Sequence, residues 1–164
     1  MTKDYLGSAD YVNSVLGNSG DLAHFLPAIF MVVAMFIAFS TGTSWGTMGI
    51  MLPIVAAFTD DYNLLLIGIS ACMAGAVFGD HCSPISDTTI MSSAGAQCSH
   101  IVHVSTQAPY ALVVAGVSFV FYIFAGLFPG AAWVFTIIGC AAMVGVLFGM
   151  KMIMDKKEEP AEAA

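Results

Sequence analysis

The stretch GDHCSPISDTTIMSS, Gly79–Ser93, decides how the rest of the chain is read. It carries two carboxylates, Asp80 and Asp87, one proline, Pro84, and hydroxyls at Ser83, Ser86, Thr88, Thr89, Ser92 and Ser93. Strongly apolar segments flank it on both sides. A polar group left without a partner in hydrocarbon costs on the order of several kcal/mol. At membrane depth such a stretch must therefore line a cavity, an ion path or a protein interface. Outside the membrane it would be an ordinary polar loop, which hydropathy taken by itself favours.

The whole chain has 164 residues, 59% apolar and 9% charged, with a mean hydropathy of +0.88. Soluble domains carry about 25% charged residues, so the composition specifies an integral membrane protein. Arginine is absent, and lysine occurs only at Lys3, Lys151, Lys156 and Lys157. Nucleic-acid binding, which needs clustered basic charge, is excluded as a function class. The four cysteines, Cys72, Cys82, Cys98 and Cys140, are scattered and do not form a secreted disulfide framework. The N-terminus is too polar for the apolar core of a signal peptide.

Working outward, residues 1–21 form a polar, glycine-punctuated lead-in, with Asp21 as a candidate N-cap for the first span. Residues 22–40 are an uncharged run close to the roughly 20 residues needed to span a bilayer, with His24 near an interface. Residues 40–49, STGTSWGTMG, bring Ser40, Thr41, Thr43, Ser44 and Thr47 together with three glycines. They run into an apolar stub, 50–58, too short to span alone. This pattern fits a broken or re-entrant helix, and equally a short helix starting near Ser44 whose small residues pack on neighbours. Asp60 and Asp61 mark a solvated turn, and 63–78 is a second span that delivers the chain into Asp80. Its Gly75 and Gly79, four apart, permit close helix contact.

Beyond the central stretch, 94–107 is mixed, and 109–127 and 131–150 are two further spans separated by Phe128-Pro129-Gly130. Gly145 and Gly149 repeat the helix-contact spacing. The tail, 151–164, is charged, and its composition predicts disorder. Its lysines next to the last span place the C-terminus in the cytoplasm. The expected fold is an all-α polytopic membrane protein with four spanning helices and one short broken or re-entrant helix. The transmembrane domain is 22–150, embedded in the lipid bilayer.

Proline and the hydroxyl run disfavour a continuous helix through Asp80–Thr88. A broken helix frees backbone carbonyls and exposes half-helix dipoles, both suited to a dehydrated Na+, which takes oxygen ligands. A carboxylate in such a place holds either a proton or a cation, and that competition suffices in principle for exchange. Asp87, embedded in SDTT, ranks ahead of Asp80, which also reads as a boundary residue at the end of a span. A rival uses Cys98, His100 and His103, with His81 and Cys82, as Zn2+ ligands. Their spacing matches no standard zinc pattern.

STGTSWGTMGIMLPI (Ser40–Ile54) and FGDHCSPISDTTIMSSAGA (Phe78–Ala96) resemble the two signature stretches in the C-terminal half of NhaC-type Na+/H+ antiporters. The resemblance covers about 22–150. It implies a multi-pass protein of the bacterial cytoplasmic (inner) membrane, not an enzyme, that exchanges Na+ for H+ without a cofactor. It further implies one repeat of an inverted-repeat transporter fold. Thr41, Thr43, Ser44 and Thr47 would then belong to one discontinuity, and Asp80, Ser83, Ser86, Asp87, Thr88 and Thr89 to another, with Na+ at Asp87 and Asp80. Family members are several hundred residues long, so this chain corresponds to a C-terminal part that assembles with an upstream portion or with itself. Two alternatives stand beside Na+/H+ exchange: a non-transporting membrane fragment or subunit, and exchange of organic acids coupled to Na+ or H+.

Overall fold

The computed structural model describes residues 22–58 and 61–162. The polar lead-in, the Asp21 cap and Asp60 fall outside the described residues. A short 3-10 turn, Leu22–Phe25, opens into α1, Leu26–Thr41. Next come α2, Ser44–Ala56, α3, Tyr62–Cys82, and α4, Asp87–Gly95. Two long helices complete the order, α5, His100–Leu127, and α6, Ala132–Glu162, joined by a 3-10 turn at Pro129–Ala131. Among the described residues four segments are long and apolar enough to cross a membrane: Ala23–Thr41, Tyr62–Cys82, His100–Leu127 and Pro129–Met152. α2, at 13 residues, is a shorter apolar helix.

The expected architecture of four spans and one short helix is therefore present, with shifted boundaries. The stretch 44–56 is one helix carrying Pro53 inside it; the chain breaks before it, at Gly42 (φ 68°) and Thr43, rather than within it. Asp61 is more than a turn residue: its carboxylate accepts the amides of Asn63 at 2.8 Å and Leu64 at 3.3 Å, capping α3. α3 also runs past the expected end at 78 to Cys82, so Asp80 lies in its last turn. The mixed segment 94–107 divides between the end of α4, a turn, and the first two turns of α5, which holds Pro109 inside a continuous helix. Membrane helices tolerate such prolines because neighbouring groups re-satisfy the freed carbonyl. The tail expected to be disordered continues α6 as far as Glu162. Ala, Glu, Lys and Met are good helix formers, and a preceding span removes the cost of nucleation.

α1 and α3 form the centre. At Gly75 a Cβ would lie 2.1 Å from the carbonyl oxygen of Met31, and at Gly79 2.3 Å from that of Met35. Only hydrogen fits at either position, so the two backbones touch over a full helical turn. Without a hydrophobic force between helices in lipid, this kind of close van der Waals packing is what holds them together. Around the seam Phe30, Ala34 and Ala38 of α1 pack with Met51 and Val55 of α2 and with Cys72 and Ala76 of α3. Phe58 closes this cluster edge-on against Phe30, with ring centroids 5.2 Å apart. On the opposite side Met31, Ala71 and Ala115 bring in α5.

His24 ties the start of α1 to the end of α5, its Nδ1 donating to the Gly126 carbonyl at 2.8 Å. α6 is different. No residue of its apolar window is buried, and no atom comes within 4 Å of a Cβ built at Gly145 or Gly149. These two small residues have the same spacing as Gly75 and Gly79 but meet no helix here. Accordingly, Gly75→Ala should destabilise the protein by about 1–3 kcal/mol through overpacking, while Gly145→Ala should change stability by less than about 0.5 kcal/mol. Unfolding of the two variants in mild detergent checks the contrast, and equal effects would contradict the seam.

Candidate cation site at the helix break

α3 stops at Cys82 because Pro84 supplies no amide to continue it. The chain then crosses four residues, Ser83–Ser86, before α4 begins at Asp87. The Ser83 amide closes the end of α3 onto the Asp80 carbonyl at 3.1 Å. The Ser83 hydroxyl donates to the Phe39 carbonyl of α1 at 2.8 Å, anchoring the break to the central seam. Ser86 caps α4, accepting the Thr89 amide at 3.5 Å. The second break touches the first. At Gly42 a Cβ would stand 2.7 Å from the Ile85 carbonyl oxygen, in addition to the left-handed φ that already favours glycine there.

Between these two breaks lies the carboxylate of Asp80, which is only 4% exposed. Three hydroxyls converge on it. Ser86 donates to Oδ1 at 2.6 Å, and Ser44, the first residue of α2, donates to Oδ2 at 3.1 Å. Thr88 approaches Oδ2 at 3.4 Å and lies 2.8 Å from the Ser86 hydroxyl. Among the described residues these partners are all neutral, with no cationic side chain on the carboxylate. Every buried polar side-chain atom described has a hydrogen-bond partner. The site is sealed on the side of Ser83, Ser86 and Thr89, which are buried, and open where Asp87 and Thr88 are exposed.

The residues singled out from sequence thus separate into groups. Asp80, Ser44, Ser86 and Thr88 meet directly. Ser83 and Thr89 lie against them but serve the backbone of the break. Thr43 caps α2 through the Gly46 amide at 3.4 Å, and Thr47 is buried with its hydroxyl on the Thr43 carbonyl at 2.9 Å. Thr41 is exposed and bonds back to Ile37 in its own helix. Asp87, ranked first from sequence, sits exposed in the first turn of α4, where the helix dipole favours an acid. Asp80, read as a boundary residue, occupies the centre instead. The physical reason is that α3 extends one turn further than hydropathy indicates and carries Asp80 inward.

Sequence reasoning does not identify two participants. The Phe39 carbonyl is a backbone group without a sequence signature. His100 reads from sequence as a residue of a polar connection or of the cavity lining, or as a zinc ligand, and its partner in the break has no sequence signature. In the structure its Nε2 donates to the Pro84 carbonyl at 2.6 Å, and its Nδ1 is 3.2 Å from the Ser93 hydroxyl. Among the described residues no group of three or more His, Cys, Asp or Glu side chains is placed to hold a metal ion, so Cys98, His100 and His103 do not assemble the zinc site.

A buried carboxylate set in hydroxyls at a proline break, in a chain with four helices long and apolar enough to cross a membrane, fits a class: polytopic membrane proteins. The family model of the Na+/H+ antiporter family matches residues 4–127, and the chain belongs to that family. The match includes most of the lead-in and stops at the end of α5, whereas the resemblance read from sequence begins at 22 and runs to 150. An uncharacterized protein of Haemophilus influenzae is 56% identical over 119 residues, 71% of this chain and 22% of its own length. The malate-2H(+)/Na(+)-lactate antiporter of Bacillus subtilis is 34% identical over 83 residues, 48% of this chain and 18% of its own length. An uncharacterized Na(+)/H(+) antiporter of Haemophilus influenzae is 40% identical over 87 residues, 47% of this chain and 18% of its own length. The chain thus spans about a fifth of the length of these curated relatives. No solved structure matches it significantly.

Ser86 has two tasks, capping α4 and donating to a charged group. Ser86→Ala should therefore cost about 1–3 kcal/mol. Ser40→Ala, which removes an exposed hydroxyl bonded within its own helix, should cost less than about 0.5 kcal/mol. Thermal unfolding of both in the same detergent checks the difference.

Proposed function

We propose that this chain is the site-bearing part of an NhaC-type secondary transporter that exchanges Na+ for H+ across the bacterial cytoplasmic membrane. The observation that carries this reading is the Asp80 carboxylate, buried among three neutral hydroxyls at a helix break. A carboxylate without a cationic side-chain partner in low dielectric is stabilised by binding either a proton or a small cation. One Asp80 cannot be fully neutralised by both, so loading one ion expels the other. Ser44, Ser86 and Thr88 offer further oxygens to Na+, and rotation of their hydroxyl protons turns them from donors to the carboxylate into ligands. Asp80 is thus the principal shared ligand. Asp87, on the open side, concentrates cations at the mouth.

In this reading the protein is not an enzyme and needs no cofactor, since Na+ and H+ are its cargo. The last span carries a cytoplasmic C-terminus. The upstream part of the transporter, or a second copy of this chain, covers the open side and supplies the opposing repeat. A second reading is favoured by the relative whose printed name is malate-2H(+)/Na(+)-lactate antiporter: the same cation site drives exchange of small organic acids.

Na+-driven proton movement in everted membrane vesicles tests both, with the chain expressed alone and then with the upstream portion of a relative. Asp80→Asn should abolish exchange while the protein still inserts. Asp87→Asn should leave exchange in place with a higher Na+ half-saturation. Exchange retained in Asp80→Asn would falsify the assignment. Proton movement that requires added malate or lactate would favour the organic-acid reading.

A further inference from the structure

We infer that His100 is a positioning residue for the Asp80 site, holding the helix break in the register that brings Ser86 onto the carboxylate. This rests on reading Asp80 as the ion site, but the contacts themselves stand independently. The break is fastened on three sides. From α1, the Phe39 carbonyl receives Ser83 at 2.8 Å. From the break between α1 and α2, Gly42 leaves room for the Ile85 carbonyl. From α5, His100 reaches the outer side, donating from Nε2 to the Pro84 carbonyl at 2.6 Å. Pro84 has no amide hydrogen, so its carbonyl is its only backbone polar group. Without the His100 donor the Pro84 peptide loses the bond that fixes its orientation and is free to turn.

Such a turn would not remain local. Ser86 is two residues on, and its hydroxyl lies 2.6 Å from Asp80 Oδ1 while also capping α4. The other edge of the same imidazole lies 3.2 Å from the Ser93 hydroxyl in the second half of α4. One rigid ring therefore touches the segment leading into α4 and a residue near its end. The turn after α4 makes this possible. Gln97 adopts a left-handed conformation (φ 53°), and the Cys98 amide bonds back to the Ser93 carbonyl at 3.1 Å. The chain thus reverses and α5 begins with His100 facing the break. A carbonyl can only accept, so Nε2 carries the hydrogen. Gln imitates the Nε2 donor and Asn the Nδ1 position, which makes the two substitutions unequal tests of the same ring.

The test is amide hydrogen exchange of the full chain in lipid nanodiscs, read with and without Na+. His100→Ala should speed exchange across residues 85–93 by about tenfold or more, as expected for loss of one well-placed hydrogen bond, with the α1–α3 seam unchanged. His100→Gln should restore exchange to within about threefold of the parent, whereas His100→Asn should resemble the alanine variant. The Na+ concentration giving half-maximal protection should rise in the Ala and Asn variants and return in Gln. Parent-like exchange in all three variants, or Gln and Asn behaving alike, would overturn the inference. If His100→Ala loosens the whole molecule, the contrast between Gln and Asn decides. If Na+ protects nothing in the parent but the contrast holds, the cation reading falls and the role of His100 in fixing the break remains.

Discussion

The structure depends on a backbone contact: Gly75 and Gly79 of α3 lie against the carbonyls of Met31 and Met35 in α1. No larger residue fits, and no polar bond is needed. In water such a seam would be minor beside hydrophobic burial, but in lipid the tails are as apolar as the side chains, and contact distance decides which helices associate. The contact also sets the register. With α3 lying directly on α1, Ser83 falls beneath the Phe39 carbonyl, and Asp80 falls beside the first residue of α2. The site is thus a consequence of the packing a turn earlier.

The two breaks divide their hydroxyls between architecture and chemistry. Thr43 and Ser86 each satisfy an amide at the start of a helix, which is the ordinary use of such residues. Ser83 and Thr47 satisfy carbonyls. Ser86 does both kinds of work, since its oxygen caps α4 while its hydrogen faces Asp80. A cation that recruited Ser86 as a ligand would therefore act on the helix start as well as on the carboxylate, which couples occupancy to backbone geometry.

The helices are unevenly packed. In α1 and α3, 39% and 44% of the spanning window is buried, while α6 has no buried residue in its spanning window. Large apolar side chains at Trp133, Ile137 and Phe148 are exposed along it, which suits contact with lipid. The open side of the site, at Asp87 and Thr88, has a different character: it is polar and lies beside a buried charge. Such a surface does not suit hydrocarbon.

Composition and hydropathy by themselves determined the class of protein, the number of spans and the break near Pro84. These follow from local rules: a run of about 20 apolar residues has few alternatives to a membrane helix, and proline cannot continue one. The motif GDHCSPISDTT likewise pointed to the region of the site. Which carboxylate lies inside was not legible, because it depends on how far α3 extends and which face it turns to α1. Asp80 and Asp87 are seven residues apart in sequence but on different helices, one buried and one exposed. Equally, the spacing of Gly145 and Gly149 is that of Gly75 and Gly79, yet only the second pair meets another backbone. A contact face needs a partner, and a partner is a property of the tertiary structure.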